Sequence, residues 1–136
     1  MVESSAVERV LHSVRSRLDR VAVEDLADEV TAGALVVDIR PEVNRDAEGE
    51  LRGAVVIERI HLEWRLDPTS PDRIAEAVPG RRVVVVCNEG YASSLAAASL
   101  RLVGVDRATD LIGGYRAWRR HTDLHVPSTE EVLTGQ

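Results

Sequence analysis

The chain has 136 residues, a net charge of −6 and a pI near 5.2, which suits a single domain that buries its own core. That acidic balance argues against nucleic acid or an anionic membrane as the main partner. The single cysteine excludes an internal disulfide, and because all 17 basic residues are arginine no mechanism can use a lysine.

The first thirty residues are charged and hold no apolar run resembling a signal peptide or a membrane span. A soluble, cytoplasmic protein is therefore expected. Residues 5–18, SAVERVLHSVRSRL, place Ala6, Val7, Val10, Leu11, Val14 and Leu18 at helical spacing. This predicts an amphipathic N-terminal helix packed onto the rest of the chain. A second helix is predicted over VEDLADEVTAG, with acidic residues in its first turn and Gly33 near its end.

ALVVDIRP then reads as a short apolar strand ending in charge, and LRGAVVIERIHLEW repeats that plan with an apolar run from Ala54 to Ile57 before Glu58 and Arg59. TSPDRIAEAVPG predicts another helix, with Ser70 as N-cap, Pro71 at its first position and Pro79-Gly80 as its stop. RRVVVVC is the strongest strand, and SSLAAASLRLVG a helix ending at Gly104. DRATDLIGGYRAWRRH gives a strand, a Gly-Gly turn and a last helix. The expected organisation is an N-terminal helix over 1–19, one domain over 20–126 and a mobile tail over 127–136, PSTEEVLTGQ.

Strands that are apolar throughout, alternating with helices, indicate an α/β fold: a mostly parallel sheet flanked by helices on both faces. In such sheets the functional crevice lies outside the carboxyl ends of the strands. Asp38 and Arg40, Glu58 and Arg59, and Cys87 all stand at strand ends, so they should share one edge. After Cys87, the loop NEGYAS opens into a helix. Backbone N–H groups of such a loop can converge on one point, and the helix N-terminus adds partial positive charge. A thiolate or persulfide placed there is stabilised, and Gly90 supplies the freedom a tight cradle needs. Taken alone, a free cysteine is more often a small buried hydrophobe. The strand, the cysteine, the glycine-containing loop and the helix together reverse that preference.

VVVVCNEGYASSLAAASLRLVGV followed by DLIGGYRAW resembles the active-site and C-terminal motifs of the rhodanese family of sulfurtransferases. ALVVDIRP is similar to that family's Asp-x-Arg strand end, and GELRGAVVI sits where its Gly-His-Ile-Pro-Gly-Ala turn would be. The resemblance covers roughly residues 20–126, with four motifs in the family's order. It implies a rhodanese-like domain in which Cys87 takes a sulfane sulfur from a small donor and becomes a persulfide. A thiol, cyanide or a protein cysteine would then remove the sulfur. By the same resemblance the loop Asn88, Glu89, Gly90, Tyr91, Ala92 and Ser93 holds the outer sulfur. Asp38 and Arg40 brace neighbouring loops.

The loop departs from the family pattern in carrying no cation. Ala92 stands where many members have Arg or Thr, Asn88 where a basic residue is frequent, and Glu89 is acidic. Glu50 and Arg52 replace the usual His and Pro of the turn. Such a loop repels a dianion, which disfavours thiosulfate as donor. A cation could come from outside it, and Arg59 is the expected auxiliary residue, because no partner is obvious if Glu58 points to the opposite face of a continuing strand.

Two rival readings compete with this one. Phosphatases and arsenate reductases of this fold need an arginine six positions after the cysteine, and here that residue is Ser93. A catalytically weak binding or regulatory module would keep the fold without turnover. No residue pattern calls for a metal or cofactor, since His12, His61, His121 and His125 show no metal spacing with Cys87. Trp64 and Trp118 read as core aromatics, RAWRRH as a solvated helix face, and Gly113-Gly114 as a strand–helix turn. Tyr91 either shapes the loop's entrance or fills it.

Overall fold

In the computed structural model, which describes residues 4–125, a four-stranded sheet is built from β1 (Leu35–Asp38), β2 (Val55–Val56), β3 (Val83–Val86) and β4 (Ala108–Asp110). Its order is β2-β1-β3-β4 and every pairing is parallel. A parallel bridge between Val21 and Leu111 extends the edge beside β4. Six helices surround it: α1 (Ala6–Arg15), α2 (Leu26–Thr31), α3 (Glu42–Glu48), α4 (Leu62–Leu66), α5 (Ala92–Leu102) and α6 (Gly114–His125). The tail expected over 127–136 falls outside the described residues.

Side chains alternate across a strand, so each valine run serves two cores. Leu35, Val37, Val83 and Val85 face Leu62, Leu66, Ala96, Ala97 and Leu100 on one side of the sheet. Val36, Val84 and Val86 face Leu26, Leu111, Tyr115 and Trp118 on the other. Burial on both faces is why these strands read as continuous apolar runs. The small residues Ala96 and Ala97 bring α5 close to the sheet, and replacing the fully buried Leu100 by Ala should cost ~2–5 kcal/mol. At α1, the Ser5 hydroxyl accepts the Glu8 N–H at 3.2 Å and caps the helix.

Four expectations are corrected. The helix predicted over 70–80 is absent, and the segment is a series of turns. Its donors are diverted: the Ile74 N–H reaches the Arg65 carbonyl at 2.9 Å, while the Ser70 carbonyl accepts from Arg73. The second helix is divided into a 3-10 turn, Val23–Asp25, and the six-residue α2. Strand β2 stops at Val56, and Glu58 begins a 3-10 turn, Arg59–His61, so neither Glu58 nor Arg59 is a strand residue. Trp118 is core at 1% exposure, but Trp64 on α4 is 59% exposed.

Candidate functional site

Strand β3 delivers Cys87 to the carboxyl edge of the sheet, on the α5 side, and the chain turns through residues 88–91 into that helix. The N–H groups of Gly90 and Ser93 donate to Cys87 Sγ at 3.1 and 3.3 Å. The thiol in turn reaches Ser93 Oγ at 3.2 Å. This turn requires glycine. Gly90 has φ +89, and a Cβ there would lie 2.7 Å from the Gly113 nitrogen.

The loop is held from behind by α6. Tyr115 N–H donates to the Cys87 carbonyl at 2.8 Å, and Arg116 N–H to the Asn88 carbonyl at 3.1 Å. With these carbonyls turned to the N-terminus of α6, the loop's amides are left to the sulfur. Gly114 permits the approach, because a Cβ on it would stand 2.5 Å from the Cys87 oxygen.

A buried polar cluster lies beneath the sulfur. Asp110, 0% exposed, accepts the hydroxyls of Ser93 at 2.7 Å and Ser94 at 2.8 Å. Arg20 grips the same carboxylate with Nε at 2.8 Å and Nη2 at 3.2 Å. Arg20 also donates to the Gly90 carbonyl at 3.1 Å, and Arg15 donates to that oxygen at 2.7 Å and to Ser94 Oγ at 3.0 Å.

The loop's one acid is balanced at the surface. Glu89 lies 3.5 Å from Arg116, whose guanidinium also binds Glu48 at 2.9 Å. Arg116 first, and then Asn88 with a 3.0 Å bond, hold the Glu48 carboxyl down at about 2. A chain of contacts thus ties α3, the loop and α6 together.

A cleft of about 380 Å³ opens over the sulfur, lined by Ile39, Arg40, Pro41, Arg59, Cys87 and the loop residues Asn88, Glu89, Tyr91 and Ala92. Tyr91 is exposed at its mouth, with the Arg15 guanidinium 5.4 Å from the ring centre. Arg40 is buried against Asp38 at 2.9 Å, bonds the Gly49 carbonyl at 2.9 Å and stacks 3.8 Å from the Tyr115 ring.

Arg59 borders the cleft but is not without a partner. Its Nη1 contacts both oxygens of Glu63 at 2.9 Å, one helical turn on. Burial pushes the Glu63 carboxyl up, yet the Ser99 hydroxyl and Arg59 more than offset this and hold it below the usual range.

Sequence reasoning singled out Cys87, its loop, Asp38, Arg40 and Arg59, all of which stand at this sheet edge. It missed Asp110, Arg15, Arg20, Glu48 and Arg116. A carboxylate inside the apolar stretch ATDLI was the available signal for Asp110, because a buried acid demands partners.

A parallel α/β sheet that presents one cysteine to convergent loop amides defines the class of protein. The family model described as Rhodanese-like domain matches residues 22–121, and the chain belongs to that family. It is 35% identical over 100 residues to thiosulfate sulfurtransferase GlpE of Stutzerimonas stutzeri (strain A1501), covering 74% of this chain and 84% of that one. The human single domain sulfurtransferase TSTD1 shares the fold, with TM-score 0.61, 24% identity and coverage of 74% and 95%. A protein of unknown function from Rhodopseudomonas palustris, described as a possible tyrosine phosphatase, superposes with TM-score 0.77, 25% identity and coverage of 93% and 96%.

Proposed function

We propose that this protein is a rhodanese-type sulfurtransferase that carries a sulfane sulfur as a persulfide on Cys87. The observation that carries this reading is the convergence of the Gly90 and Ser93 amides on Sγ at 3.1 and 3.3 Å. Donors fixed in place around a sulfur stabilise its anion without reorganising during reaction. In the first half-reaction the Cys87 thiolate attacks the donor's sulfane sulfur, the bond to the donor breaks, and the donor leaves with that electron pair. The product is Cys87–S–S⁻. In the second, a thiolate or cyanide attacks the outer sulfur, and the Cys87 thiolate leaves. Neither half-reaction requires a redox cofactor, since the electron pairs balance.

An organic persulfide is the better donor, although the GlpE relative is named for thiosulfate. Ala92 offers no charge to a sulfonate, and Glu89 stands on the same loop. The phosphatase reading lacks the bidentate guanidinium that an oxyanion needs, because Ser93 occupies the required position and faces Asp110.

Intact mass measurement after exposure to a persulfide donor tests the proposal, with Cys87→Ser as control. A mass gain of one sulfur, absent from the variant and discharged by cyanide, is expected. Folded protein that gains no sulfur from persulfide or thiosulfate would instead support the binding-module reading.

A further inference from the structure

We infer that Arg15 and Arg20, which precede the segment 22–121 matched by the family model, are positioning residues for the sulfur-carrying loop. This rests on the proposed persulfide chemistry and extends it to a segment outside the family's domain.

The first argument is geometric. Both guanidiniums hold the Gly90 carbonyl, at 2.7 and 3.1 Å. Peptide bonds among the described residues are trans, and in a trans peptide the carbonyl and the following N–H point in opposite directions. Fixing the Gly90 oxygen therefore aims the Tyr91 N–H away from the arginines. Tyr91 lines the cleft, whereas Arg15 and Arg20 do not. The two arginines thereby set the direction of a donor that a persulfide's outer sulfur can use.

The second argument is electrostatic. An ionised carboxylate can only accept hydrogen bonds. The Ser93 hydroxyl, 2.7 Å from Asp110, therefore gives its proton to the carboxylate and not to Sγ, which leaves the sulfur's anion to the loop amides and to the charge behind them. Without Arg20, Asp110 would be an uncompensated buried anion one hydroxyl away from the sulfur, and it would oppose the thiolate. Arg20 cancels that charge, and Arg15 adds a second cation behind a loop whose only charged side chain is Glu89. Arg20 thus pairs with the carboxylate beneath Cys87, and Arg15 stands one hydroxyl further off, on Ser94.

Neither guanidinium lines the cleft, but Arg15 packs against Tyr91 at its mouth, 5.4 Å from the ring centre, so the readout that isolates the loop is the reactivity of the sulfur and not donor binding. Arg15 is half-buried on the last turn of α1, so Arg15→Met is the informative variant. Arg20→Ala strands a buried carboxylate, and Arg20→Ala combined with Asp110→Asn removes that complication. In the whole chain, Arg15→Met should lower kcat for persulfide transfer at least roughly tenfold, since of its two hydrogen bonds the charge-assisted one to the Gly90 carbonyl acts on the loop. The pH–rate profile of Cys87 alkylation by iodoacetamide should move to higher pH, with partial recovery in Arg15→Lys. A folded Arg15→Met protein with lowered Tm but wild-type kcat and alkylation profile would overturn the assignment. The alkylation profile needs no sulfur donor, so failure of the functional proposal, a wild-type protein that forms no persulfide, is told apart from failure of this one, an alkylation profile that does not move.

Discussion

Ala92→Arg tests whether charge at the mouth of the cleft selects the donor. Ala92 is exposed, is the first residue of α5 and lines the cleft over Cys87. A long side chain can therefore extend into about 380 Å³ of open space without repacking the core. A guanidinium there can donate to the sulfonate of thiosulfate, and a hydrogen bond to a charged group contributes about 1.5–3 kcal/mol. Made in the transition state, that is roughly ten- to a hundredfold in kcat/KM for thiosulfate. A cation in the first turn of a helix opposes the dipole, which costs stability about 0.3–1 kcal/mol, so Tm should fall slightly. Cyanolysis with thiosulfate is the assay, and a neutral organic persulfide is the reference donor whose rate should stay within about twofold, since no new bond to it is made. Arg59→Gln in the same background reports whether the native guanidinium, 42% exposed and paired with Glu63, contributes as well. An unchanged thiosulfate rate in a folded Ala92→Arg protein refutes the idea that a missing cation limits this loop.

Gly114→Ala should displace the loop, because its Cβ would meet the Cys87 oxygen at 2.5 Å and the backbone there has φ +63. Gly104→Ala carries a similar φ of +90 with nothing within 4 Å, so it isolates the conformational cost, about 1–2 kcal/mol. Gly114→Ala should lose more Tm than this control and also lose persulfide yield; equal losses would mean the contact is unimportant. Glu48, held at about 2 against an ordinary 4.5, stabilises the fold above pH 4.5, and that contribution is lost as pH falls toward 2. Urea unfolding of wild type and Glu48→Gln should differ slightly above pH 4.5, the pair being screened by solvent, and converge near pH 2. A difference independent of pH refutes the linkage.

What could be read from the sequence was set by how local each cause is. The runs LVVD and VVVV announce strands buried on both faces, and Gly90 between a strand and an alanine-rich helix marks a tight loop without reference to the rest of the chain. The cluster under the sulfur is another matter. Arg20 meets Asp110 across 90 positions and Arg15 meets Gly90 across 75, and no spacing rule reaches that far. The missing helix over 70–80 shows the same limit from the other side. Ser70 and Pro71 are sound local start signals, but the Ile74 amide finds a better acceptor in Arg65. Arg59 is the instructive exception, because Glu63 stands four positions on in RIHLE. Taking Arg59 as the end of a strand hid an i,i+4 pair that a helical reading exposes at once.

The distribution of charge around Cys87 gives the site its character. In front of the sulfur, the two arginines lining the cleft already hold carboxylates, Arg40 with Asp38 and Arg59 with Glu63. Glu89 is likewise engaged by Arg116. An incoming dianion would have to share each guanidinium with a carboxylate that neutralises its charge, so the mouth of the cleft exerts little pull. Behind the sulfur the balance differs, because Arg15 and Arg20 together outweigh Asp110. Charge placed there acts on whatever anion Cys87 itself bears, whether thiolate or persulfide, and acts equally for every donor. On the proposed reading, such a site stabilises the carried sulfur more than it recruits the molecule that delivers it. On that reading, selection of the donor would fall to the shape of the cleft and to Tyr91 at its mouth, which would favour a donor with an organic body over a small inorganic ion.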